Sequence, residues 1–247
     1  MIDFAELLLT ALAVLIILTI HEYSHGYVAY KLGDKTASNL GRLTLNPIKH
    51  IDPLGALCML FFHVGWAKPV PINPRNFKNP KRDFALTALA GPASNIIVAF
   101  LTVPLYLSLF RLMWNGSISY QSFSYHLLNN TIIFFSLFIT VNIGIALFNL
   151  IPIPPFDGSR ILNVILPQKA YFAIMKYERR IYFAFLFWLI LGDYAAIGIR
   201  SIPIVASTPW LYSLVGILSL PDILGSAINF IGNLMIKFWQ LIPIFKI

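Results

Sequence analysis

The strongest constraint on this chain is a series of apolar stretches long enough to cross a bilayer, which takes about 20 residues of helix. The first runs over about residues 4–30, apolar through 7–20 and abruptly polar at His21. The second is 84–110, broken early by Gly91-Pro92; the third is 131–151 and the fourth 181–199. After Ser201 the chain stays apolar, with interruptions at Pro209, Pro221-Asp222 and Gly225, which reads as one or two further helices. Composition agrees with this reading. Hydrophobic residues make up 58% and charged ones 11% of the 247 residues, against about 25% charged in globular domains. Too little polar surface remains to cover a water-soluble particle. The expected fold class is an all-α polytopic membrane protein, a bundle of 5–6 transmembrane helices.

Charge sets the orientation. Segment 31–83 carries nine Lys/Arg and segment 152–180 carries five, whereas 111–130 carries only Arg111. Basic loops stay in the cytoplasm, so the N-terminus is expected outside and the two basic segments inside. Topology thus accounts for the net charge of +8, and no nucleic-acid partner is expected. The single cysteine, Cys58, excludes an intramolecular disulfide and any multi-cysteine metal site. An acidic start (Asp3, Glu6) reads against a cleavable signal peptide.

Chemistry concentrates at His21-Glu22-Tyr23-Ser24-His25, inside the first span. Residues four apart on a helix share a face on successive turns, so His21 and His25 can reach one metal ion while Glu22 handles a water bound to it. Ionisable groups are costly in a membrane helix and mark function there. Two histidines leave a catalytic zinc one protein ligand short. His126 falls in the external loop; His50 and His63 share the cytoplasmic segment and stay open as alternatives. Asp157 is the stronger candidate, because it follows a helix end, is stiffened by Pro152, Pro154 and Pro155, and precedes Gly158, where backbones can approach closely. The rival from another class is a membrane metal transporter or non-catalytic metal-binding protein using the same three residues.

Five blocks together resemble the site-2 protease family of intramembrane zinc metalloproteases, peptidase family M50. They are His21 through His25, Gly41-Arg42-Leu43-Thr44-Leu45-Asn46-Pro47, Gly65 through Asn73 (Gly-Trp-Ala-Lys-Pro-Val-Pro-Ile-Asn), Ala90-Gly91-Pro92-Ala93-Ser94-Asn95, and Asn149 through Gly158. The resemblance implies one Zn2+ per chain held by His21, His25 and Asp157, Glu22 as catalytic base, and Asn149 beside the active site. It also implies substrates that are transmembrane segments of single-pass membrane proteins or signal-peptide remnants, cut within the bilayer. Where many members have Leu-Asp-Gly, this chain has Phe156-Asp157-Gly158. Residues 1–165 are then the protease core and 166–247 additional C-terminal helices. Around the core, 54–66 is too short to span and is expected to be re-entrant. The extended segments 41–46 and 68–73 are expected to form a small membrane-associated β-hairpin or sheet that could take an unfolded substrate as an added strand. Asn95 is expected to orient a ligand or to pack.

Overall fold

A computed structural model describes residues 4–55, 67–115 and 122–245. The described chain is helical and carries four helices long and apolar enough to cross a membrane. These are α1 (Phe4–Lys31), α2 (Pro80–Asn115), α3 (Phe123–Asn149) and, after two short helices α4 (Asp157–Ile165) and α5 (Gln168–Lys176), the fourth span α6 (Glu178–Arg200). A bent pair follows, α7 (Pro209–Val215) and α8 (Leu220–Gln240), which meet at 105° and count as a fifth span if taken together. The protein is an integral membrane protein.

The helix ends differ from the sequence reading in instructive ways. α2 has 36 residues, about 54 Å at ~1.5 Å per residue, and so outruns a ~30 Å hydrocarbon core. Pro80 opens it at a position where no backbone donor is needed. α3 begins eight residues earlier than hydropathy suggests, because Ser122 caps it by accepting from the Tyr125 amide at 3.1 Å. The basic stretch after Pro155 is not a plain loop; it folds into the amphipathic α4 and α5. Among the described residues no strand forms. Segments 41–51 and 67–73 are joined by one antiparallel bridge, Ile51 to Ala67. Pro69 and Pro71 supply no ladder donors, which is why a sheet does not grow from it. The expected re-entrant element lies almost wholly in 56–66, outside the described residues, as do Cys58 and His63.

The core sets large apolar side chains around Ala13 and Ala99, which let helices close up, as lipid supplies no hydrophobic drive between them. Ala13 and Ile17 of α1 meet Phe138 of α3. Ala99, Val103 and Leu107 of α2 meet Ile139 and Ile143 of α3 and Met235 of α8. Pro104 removes the donor that would bind the Phe100 carbonyl, and the Trp239 indole N–H donates to that oxygen at 2.9 Å. At the far end of α6, Arg200 pairs with Asp222 at 2.6 Å and lies over the Tyr212 ring, tying α6 to the bent pair.

Candidate metal centre

His21 and His25 occupy successive turns of α1, both nearly inaccessible, with 3% and 6% of their surface exposed. Each ring is fixed through Nδ1. The His21 Nδ1–H donates to Asn95 Oδ1 at 3.0 Å, and the His25 Nδ1–H donates to the Thr87 carbonyl at 2.7 Å, both partners on α2. A carbonyl oxygen can only accept, so each imidazole keeps its proton on Nδ1 and turns the Nε2 lone pair inward. Such partners set both the tautomer and the aim of a ligand histidine.

Asp157 arrives from the other side as the first residue of α4. Its Oδ2 lies 3.2 Å from His21 Nε2 and 3.2 Å from His25 Nε2, and the two Nε2 atoms are 3.0 Å apart. Two glycines make the convergence feasible. A Cβ on Gly91 of α2 would overlap both imidazoles, so only a bare backbone lets α2 lie against them. A Cβ on Gly158 would overlap the Leu150 carbonyl, so the turn after α3 closes only with glycine there.

The three atoms present inward lone pairs and a negative charge, with no donor among them. That arrangement calls for a cation. Tetrahedral zinc bonds of ~2.0–2.2 Å place ligand atoms ~3.3–3.6 Å apart, a few tenths from the observed 3.0–3.2 Å. Two imidazoles and one carboxylate are also a donor set that catalytic zinc takes. Among the described residues this is the one cluster of His, Cys, Asp and Glu able to hold an ion. His50 is buried elsewhere and donates from Nε2 to the Thr44 carbonyl at 2.8 Å; His126 stacks edge-on to Tyr125 in the first turn of α3.

Glu22 sits half-buried beside the cluster, its Oε2 accepting the Val70 amide at 2.7 Å. Asn149 ends α3 and turns its amide back on its own helix, donating to the Ile145 carbonyl at 3.0 Å. Asn95 is fully buried; its Nδ2 has no partner, a loss of about 1–3 kcal/mol that is tolerated where Oδ1 orients His21. Two contributors escaped the sequence reading. Thr87 acts through its backbone carbonyl, which leaves no trace in residue type. Arg42 lay in a recognised block with no assigned task.

The sequence model of peptidase family M50 matches residues 9–191. A Bacillus subtilis (strain 168) protein named "Putative zinc metalloprotease YwhC" is 46% identical over 149 residues, 60% of this chain and 65% of that protein. The Mycolicibacterium smegmatis and Mycobacterium tuberculosis (H37Rv) proteins, both named "Putative zinc metalloprotease Rip2", are 29% and 24% identical. Those two matches cover 57% and 92% of this chain, and 51% and 79% of the relatives. The chain therefore spans less than two thirds of the first two relatives. No solved structure matches it. With three quarters of its length inside one family model, the chain belongs to peptidase family M50.

Proposed function

We propose that this protein is an intramembrane zinc metalloendopeptidase that hydrolyses peptide bonds within or near transmembrane segments of other membrane proteins. The observation that carries it is the convergence of His21, His25 and Asp157 inside a helical bundle, with Glu22 one residue from the first of them. His21 Nε2, His25 Nε2 and the Asp157 carboxylate would hold the ion. Bound there, zinc supplies Lewis acidity toward water and toward a carbonyl oxygen.

The chain's own residues then have distinct tasks. Glu22 serves as general base, and with Oε2 engaged by Val70 it has Oε1 free to take a proton and later deliver it. Asn95 and Thr87 hold the two imidazoles in one tautomer. Asn149 is assigned to the substrate backbone; its Oδ1 is available to accept, while its amide must leave the Ile145 carbonyl to donate. With its Lys68, Val70 and Asn73 amides engaged elsewhere, extended segment 68–73 offers chiefly the Val70 and Pro71 carbonyls and the Ile72 backbone to a substrate unwound from its helix, whose free backbone groups would be expensive in lipid. The charge asymmetry puts the N-terminus outside and the site toward the cytoplasmic face.

Glu22→Gln separates this reading from metal transport. The protease reading expects one zinc per chain retained and cleavage of a model transmembrane substrate lost by about 100-fold or more. A variant that still cleaves, or a wild type whose only zinc-dependent property is transport, refutes the proposal.

A further inference from the structure

Segment 67–76 lies over the His-Glu-x-x-His face as a strap, irregular over 68–73 between the Ala67 bridge and a 3-10 turn at Pro74–Asn76. Pro69, Pro71 and Pro74 leave it few backbone donors. Those it has are used in a definite order. The Lys68 amide donates to the His50 carbonyl at 2.9 Å. The Val70 amide donates to Glu22 Oε2 at 2.7 Å, and the Asn73 amide to Asp34 Oδ2 at 2.7 Å. Between the first two, Arg42 Nη2 donates to the Lys68 carbonyl at 2.8 Å and the Pro69 carbonyl at 3.3 Å. The strap is therefore fixed on both sides of Val70 by side chains from outside it.

We infer that Arg42 and the Val70 amide are positioning groups for Glu22: Arg42 clamps the strap so that one backbone N–H holds one carboxylate oxygen of the general base. This rests on Glu22 being that base. A glutamate has three rotatable bonds, and only an anchored donor can restrict it; a charge-assisted bond from a fixed amide does so, while one from a loose loop moves with the loop. Packing alone does not supply the anchor. The Val70 side chain is buried, and a Cβ on Gly26 would stand 3.1 Å from Val70 Cγ1 and 3.3 Å from Leu43 Cδ1, which sets the height of the strap over α1. The direction of the amide, in contrast, depends on the peptide planes of residues 68 and 69, and those are the two carbonyls Arg42 holds. The Arg42 Nε is buried without a partner, so this side chain gives up a hydrogen bond to reach the strap with Nη2. Both contacts come from a single nitrogen, which a lysine ammonium can imitate.

The test uses the full chain in detergent, with Arg42→Ala, Arg42→Lys and a protein carrying an ester in place of the Val70 amide. Hydrogen exchange over 67–77 reads the clamp without reference to cleavage. Arg42→Ala is expected to speed exchange there about tenfold, to lower kcat at least about tenfold with KM within twofold, and to leave one zinc per chain; Arg42→Lys restores all of these. Unchanged exchange in Arg42→Ala, or a raised KM with kcat intact, overturns the inference, the latter showing that the strap serves substrate alone. If Arg42→Ala loses zinc or fails to fold, the ester decides, since it deletes only the N–H: kcat must fall, and an unchanged kcat overturns the assignment. Cleavage that survives Glu22→Gln defeats the protease reading instead, whatever Arg42→Ala does to exchange over 67–77.

Discussion

Gly91→Ala is the sharpest perturbation of the centre that leaves every proposed ligand in place. The new Cβ would stand 2.6 Å from His21 Cε1 and 2.6 Å from His25 Cε1, and closer still to His25 Nε2. Carbon atoms in contact rest at ~3.5–4.0 Å, so α1 and α2 must part by roughly 1 Å or the rings must turn. Turning is opposed by the Nδ1 bonds to Asn95 and Thr87, both also on α2. Overfilling a packed site costs about 1–3 kcal/mol. If that cost falls on the metal-bound geometry, zinc affinity weakens by about 5- to 150-fold. Titration of the purified chain against a competing chelator measures this, with Gly198→Ala as control because a Cβ there meets nothing within 4 Å. Zinc affinity within twofold of the wild type in Gly91→Ala would show that the rings have room, and the close-approach argument would fail.

Two further outcomes concern the scaffold. Trp239→Phe should destabilise the bundle by about 1 kcal/mol, read by reversible unfolding in micelles, since the Phe100 carbonyl loses its donor. In a Pro104→Ala background the same change should cost much less, because residue 104 regains an N–H for that carbonyl; equal losses in both backgrounds refute the pairing. At Asp34, burial raises the carboxyl's pKa, but bonds from Thr36, Asn73 and Asn76 outweigh it and hold the group below its ordinary value. The stabilisation is therefore complete above about pH 4 and is lost as pH falls through the lower folded value. Wild type should lose protection of 67–77 below that range, whereas Asp34→Asn should be less protected already at neutral pH and show a flatter profile.

The parts of this structure legible in the sequence are those encoded within a few turns of chain. Long apolar runs gave the four spans, and four-residue spacing gave the two histidines. Asp157 was legible because prolines and a glycine around it speak of a held turn; its closeness to α1 had to come from the tertiary fold. Gly91 could be read as a close approach, but not that its neighbours would be the two imidazoles. α4 and α5 were hidden because they are short and amphipathic, without a long apolar run. The α2 extension was hidden because helix propensity continues past the membrane after hydropathy stops. Least legible were contacts made by backbone atoms: the Thr87 carbonyl on His25 and the Val70 amide on Glu22 join positions 62 and 48 residues apart with no demand on side-chain identity.

Proline links several of these features. In a membrane bundle a proline inside a helix leaves a carbonyl that must find another donor. Pro104 frees the Phe100 carbonyl for Trp239, which fastens α8 to α2. Pro92 loosens the ladder around Ala88, one residue from the Thr87 carbonyl that orients His25. In the strap the logic reverses: Pro69, Pro71 and Pro74 delete donors, so the Val70 and Asn73 amides are spent on two carboxylates, one of them the proposed base. Restoring donors there, as in Pro69→Ala with Pro71→Ala, should therefore harm function by making alternative pairings available. The expected result is faster exchange over 67–77 and a lower kcat at full zinc occupancy; a double variant with wild-type kcat and exchange would show that the prolines merely shape the loop.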